Sequence, residues 1–131
     1  TCCDTSAGGV SYIEATRPLF PSARGGGYQP EVAADLRALD IHNVPRWMVD
    51  KTSGEAMIDF LKQAVATGGL AVIMFHGVGG GHGINVEREA HRQVLAWLDQ
   101  NRKTVWTDTF LRVMQHVVTE RERLGWKNPH P

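Results

Sequence analysis

The stretch LAVIMFHGVGGGHG, residues 70–83, decides how the rest of the sequence is interpreted. Its first six residues, 70–75, are all apolar, which is typical of a strand buried on both faces of a parallel sheet. His76 follows that strand directly, and a glycine-rich loop follows His76. Because α/β folds usually place their chemistry at the carboxyl ends of parallel strands, His76 is the first candidate for a functional side chain.

The composition is that of an ordinary globular domain, since 42% of the 131 residues are hydrophobic and 21% are charged. Fourteen Lys and Arg balance fourteen Asp and Glu, so the charge does not favour binding to nucleic acid or to an anionic membrane. No apolar run approaches the roughly 20 residues that a membrane span needs. The two cysteines, Cys2 and Cys3, are adjacent, which argues against a disulfide scaffold.

Helix and strand patterns alternate along the chain. Ser11 and Glu14 have capping-box spacing and predict a short helix that stops before Pro18. Further helices are predicted to start at Pro30, after the caps Ser53 and Asn85, and before Phe110. The helix after Ser53 is predicted to end at Gly68 and Gly69. Extended segments are predicted at residues 41–49, 70–75 and 103–107.

This order predicts the βα pattern of a parallel sheet or barrel. Three or four strands are too few to close a barrel, and such a sheet alone would expose its edges and much apolar surface. We therefore expect the second half of a larger α/β domain. The strand at residues 70–75 would lie at its centre, with helices packed on one side.

The glycine loop leaves several interpretations open. It lacks the Lys-Ser/Thr of a phosphate-binding loop, and no acidic residue follows where a dinucleotide site needs one. His76 can be a core histidine, a metal ligand or a proton-transfer group; its place before a flexible loop favours proton transfer. His82 and His91 do not complete a metal-binding triplet with it, so no metal site is expected within this chain.

The sequence resembles the C-terminal half of the polysaccharide deacetylases of carbohydrate esterase family 4, the NodB-homology group. LAVIMFHGVGGG matches a family strand that ends in a Leu-x-His-like motif, with His76 as its histidine. Thr109 and Phe110 match a Thr-Phe helix opening, and Ala23 and Arg24 match a strand ending in Ala-Arg. The segment TCCDTSAGGVSYI is similar to the family's third motif, without its proline and glycine.

Other family motifs are missing or loose. The aspartate and the two histidines that hold the family's metal have no counterpart in this chain, because they belong to the first half of the family domain. Asp40, Asp50 and Trp47 are loose candidates for its Asp-x-x-Asp-Trp motif.

The resemblance implies that residues 1–131 form the C-terminal half of a distorted (β/α) barrel, completed by an absent N-terminal half. The reaction would be metal-dependent hydrolysis of N- or O-acetyl groups on a polysaccharide, with a divalent ion, zinc as first choice, held by that other half. His76 would be the catalytic acid, and Cys2 and Arg24 would contact the substrate. His82, on the glycine loop, would either contact the sugar or be solvated. The resemblance implies a secreted or periplasmic location. The sequence itself shows no signal-peptide pattern.

Two alternatives stay open. The same fold could serve as a carbohydrate-binding module that has lost its chemistry. It could also be a structural domain in which His76 is buried.

Overall fold

The computed structural model describes residues 5–26, 28–127 and 129, so Cys2 lies outside the described part of the chain. The elements within it are, in chain order, β1 (Ser6–Ala7), β2 (Val10–Ser11), α1 (Tyr12–Thr16), β3 (Trp47–Met48), α2 (Gly54–Thr67), β4 (Ile73–Met74), α3 (Arg88–Gln100) and α4 (Phe110–Arg123). Strands β1 and β2 form an antiparallel hairpin, and β3 and β4 form a parallel pair. The described residues are a small mixed α/β arrangement without a closed barrel, and the half-barrel remains a prediction.

The parallel pair lies at the centre of the structure. Trp47 is in register with Ile73, and Met48 with Met74. The ladder extends beyond the assigned strands, because Trp47 N–H donates to Val72 O at 2.8 Å and Val49 N–H donates to Met74 O at 3.2 Å. The α2 crossover between the two strands is the kind of connection that parallel pairing requires.

The two faces of the strand at residues 70–75 carry two separate apolar clusters. Leu70 and Val72 pack against a cluster that includes Met114 and Val117 of α4. Ile73 and Phe75 pack against a second cluster, built from α2 and α3. Since side chains alternate between the faces of a strand, an apolar residue is needed at every position. The expectation that the helices pack on one side is therefore wrong for the described structure.

An apolar groove of about 590 Å³ separates α4 from α2 and α3 and leaves residues 70–75 only half-buried. It runs along the edge of β4 that has no strand partner among the described residues. Val65 and Leu95 line it and are 46% and 52% exposed. Residues 104–108 line its other side, and the strand predicted at 103–107 is wrong, because that segment pairs with no described strand.

Local sequence signals place the helix ends well where the caps are strong. The Ser53 hydroxyl accepts a hydrogen bond from Ala56 N–H at 3.2 Å, and Gly68 closes α2 in the left-handed region with φ +64°. These predictions are confirmed. The helix predicted at Pro30 is wrong, because Ala33 forms an antiparallel bridge with Leu70 instead. None of the helices among the described residues is long and apolar enough to cross a membrane.

A buried arginine ties α4 to the loop that precedes β3. The side chain of Arg121, whose residue is 4% exposed, donates from Nε to Leu36 O at 2.8 Å and from Nη2 to Leu39 O at 2.7 Å. Desolvation lowers the pKa of this guanidinium, and the negative charges of Asp35 and Asp40 oppose that shift. The guanidinium thus satisfies two loop carbonyls that no regular secondary structure pairs.

We expect Arg121→Met to lower the free energy of unfolding by about 1–3 kcal/mol, because the aliphatic length is kept while both carbonyls lose their donor. Urea unfolding followed by circular dichroism measures this loss. Arg123→Gln is the matched control, since Arg123 lies two residues away in an exposed pair with Glu120. The control should change stability by less than about 0.5 kcal/mol. Equal effects of the two substitutions would contradict the role given to Arg121.

Candidate functional site

A carboxylate and an imidazole follow the carboxyl ends of β3 and β4 and so lie at the same end of the parallel pair. Asp50 follows Met48 by two residues and His76 follows Met74 by two, so the register places them at the same level. Both residues are exposed. His76 is therefore open to solvent in this structure and is not the buried histidine of the structural-domain alternative.

Backbone contacts fix Asp50. Its Oδ1 accepts a hydrogen bond from Asn85 N–H at 3.1 Å, and Lys51 N–H donates to Asn85 O at 2.7 Å. Lys51 has φ +50°, a strained left-handed conformation for a residue with a side chain. The chain thus turns sharply just after the carboxylate and is held against the segment that follows the glycine loop.

Asn85 is a residue whose role the sequence did not predict. It was expected to cap α3, but that helix begins at Arg88 after Glu87. Instead, Asn85 contacts Asp50 and Lys51 through its backbone, while its Nδ2 donates to His82 O at 2.9 Å. It connects the end of β3 to the glycine loop, and this contact across 35 residues leaves no local sequence signal.

The glycine loop is closed by backbone hydrogen bonds. Val86 N–H donates to Gly77 O at 3.1 Å, and Gly79 N–H donates to Val86 O at 2.8 Å. The chain reverses within the loop through three consecutive glycines with positive φ, residues 79–81. L-residues with side chains rarely adopt these angles, which explains why the loop needs glycine there.

This reversal brings His82 onto His76. The two imidazole rings are stacked, with centroids 5.1 Å apart and an interplanar angle of 26°. Ile84 N–H donates to Nδ1 of His82 at 3.0 Å, so the backbone also holds the His82 ring. Of the predicted site residues, the structure therefore brings together His76 and His82.

The other candidates lie elsewhere or are undescribed. Arg24 forms a parallel bridge with Val44, six residues before Asp50 along the chain, and is not part of the histidine cluster. Asp40 accepts two hydrogen bonds from Arg17, at 2.7 and 3.0 Å, and is not part of it either. Cys2 lies outside the described residues, so its predicted substrate contact has no geometry to report.

The resemblance assigns the implied metal to the other half of the domain, and the described residues form no metal site of their own. Within residues 5–26, 28–127 and 129, no group of three or more His, Cys, Asp or Glu side chains could hold an ion. The arrangement instead offers an exposed imidazole, a neighbouring second imidazole and a carboxylate at the same strand edge. Such groups can transfer a proton and orient a polar substrate.

Comparison with known proteins gives no match of any kind. No protein-family model fits the sequence, no curated protein is similar to it, and no solved structure matches its fold. The functional conclusion therefore rests on the residues, their geometry and the resemblance described above.

We expect Gly77→Ala to disturb the histidine stack, because an added Cβ would lie 2.7 Å from Gly80 O and 3.0 Å from Asn85 Cβ. The side-chain NMR signals of His76 and His82 should shift or broaden. Gly83→Ala is the control, since nothing lies within 4 Å of its Cβ position. Unchanged histidine signals in Gly77→Ala would show that the loop does not constrain the stack.

Proposed function

We propose that this chain supplies the proton-transfer part of a polysaccharide deacetylase, an enzyme that hydrolyses N- or O-acetyl groups on a sugar polymer. The observation that carries the proposal is the exposed imidazole of His76 at the carboxyl end of a parallel strand, level with Asp50 on the neighbouring strand. This is where a parallel α/β structure presents its reactive groups. The resemblance of residues 70–81 to the deacetylase motif gives the same histidine the same role.

His76 acts as the general acid. When the acetyl group is removed, the departing amine or alkoxide needs a proton, and imidazole can give and regain one near neutral pH. Exposure allows the ring to reach a bulky polymer.

The metal-binding part of the enzyme comes from outside residues 1–131. The apolar groove supports this part of the proposal, because it exposes the unpaired edge of β4 together with half-buried residues of both clusters. Exposed apolar surface beside an unpaired strand edge is costly in a finished domain and is covered by another element. A companion half that packs here would complete the sheet and bring its own ligands. An acetylated polymer as substrate places the protein outside the cytoplasm, secreted or periplasmic.

We expect this chain alone, supplied with zinc, to release no acetate from an acetylated chito-oligosaccharide. Its described residues include no group of three or more His, Cys, Asp or Glu side chains that could hold the ion. Adding the metal-binding half of a family deacetylase as a second chain should give both a complex and chelator-sensitive acetate release. Co-sedimentation and an acetate assay measure the two results. Zinc-dependent activity of the single chain would contradict the division of labour. A stable complex that releases no acetate would favour the binding-module alternative.

In the assembled enzyme, we expect His76→Ala to lower kcat by about 10²–10⁴-fold, the usual contribution of a general acid. The thermal midpoint should stay nearly constant, because His76 is exposed. Lys62→Ala is the control: this exposed lysine pairs with Asp59 on α2, outside the groove lining, and should leave kcat unchanged. Retained activity in His76→Ala, or loss through unfolding alone, would make His76 a structural residue.

A further inference from the structure

We propose that His82 is a positioning residue for His76: the glycine loop carries a second imidazole back onto the first and holds it in one orientation. The inference rests on the proposed function for the importance of His76, while the contact itself stands independently of any activity. This role would explain why the segment GVGGGHG, residues 77–83, carries a second histidine, which proton transfer by His76 alone does not require.

His76 has few restraints of its own. Among the described residues, the His76 ring makes no hydrogen bond. Asp50 lies level with it on the next strand, but its Oδ1 accepts a hydrogen bond from Asn85 N–H. Its directional contact is the stack with His82, at 5.1 Å between centroids and 26° between planes. An exposed histidine without such a contact samples several staggered rotamers, and only one of them aims the ring at a given substrate atom.

His82, by contrast, is anchored whether or not it is protonated. As a neutral ring, its Nδ1 accepts a hydrogen bond from Ile84 N–H at 3.0 Å. As a protonated ring, the same nitrogen can donate to Ile84 O at 3.2 Å. The backbone of His82 is also fixed, because its carbonyl accepts from Asn85 Nδ2 at 2.9 Å. The ring that supports His76 is therefore held at Nδ1 in either protonation state, while a separate contact holds the backbone of His82.

The loop itself is built to deliver this ring. Positive φ at residues 79–81 reverses the chain, and the bonds between Gly77, Gly79 and Val86 close the reversal. Gly77 lets the loop pack tightly, since a Cβ there would come within 3.3 Å of the His82 Cβ. The closed loop runs from Gly77 to Val86, and it carries His82 back over His76.

The test uses the full chain labelled with ¹⁵N and ¹³C, and it needs no activity. In the unmodified protein, the Hα–Hβ couplings of His76 should show one dominant rotamer. His82→Ala should average these couplings, while His82→Phe, which restores an aromatic face, should recover most of the preference. His116→Ala should leave them unchanged. Amide spectra that overlay outside residues 76–86 show that each variant is folded.

Averaged couplings in the unmodified protein, or a single rotamer that survives in His82→Ala, would overturn the proposal. In the assembled enzyme, a positioning role predicts that His82→Ala lowers kcat more than it raises KM and that Phe restores kcat. A rise in KM alone, without rescue by Phe, would instead assign His82 to the substrate. If the couplings behave as expected but the assembled enzyme shows no deacetylation, the proposed function fails while the positioning contact stands.

Discussion

The parallel pairing of β3 and β4 is the constraint on which the rest of the structure depends. Its register places Asp50 and His76 at one edge, and the alternation of side chains along it creates the two apolar clusters. The assigned strands have two residues each, so a few backbone hydrogen bonds organise three helices and a loop. A one-residue slip would exchange the faces of the strand and separate the groups at its end.

The sequence predicted those elements whose ends are set by local chemistry. Ser53 and Gly68 delimit α2, and the Thr109 hydroxyl accepts a hydrogen bond from Arg112 N–H at the start of α4. The sequence-based predictions are wrong where contacts with residues distant in the chain determine the local structure. The segment after Pro30 has helical spacing but forms a bridge to Leu70, and residues 103–107 have strand composition but no described strand to pair with. In both cases tertiary contacts, or their absence, outweigh local preference.

The candidate site was predictable in the same unequal way. His76 could be found because an apolar run ends on it and glycines follow. Asp50 could be listed but not placed, because only the strand register shows that the two residues are level. The roles of Asn85 and of the His82 ring depend on how the loop closes, and no periodicity or spacing rule encodes that closure. One-dimensional patterns locate reactive residues at strand ends, whereas their supporting contacts require coordinates.

The division of the apolar side chains into two clusters has a consequence for cooperativity. One cluster joins α4 to the loops before β3, and the other joins α2 to α3, with no buried residue in common. Stability that is stored in two places allows two places of local opening, each with its own free energy. Hydrogen exchange would therefore divide the helices into two groups, with α4 in one and α2 and α3 in the other. The strand at residues 70–75 packs against both clusters, so it is the element that couples the opening of α4 to that of α2 and α3.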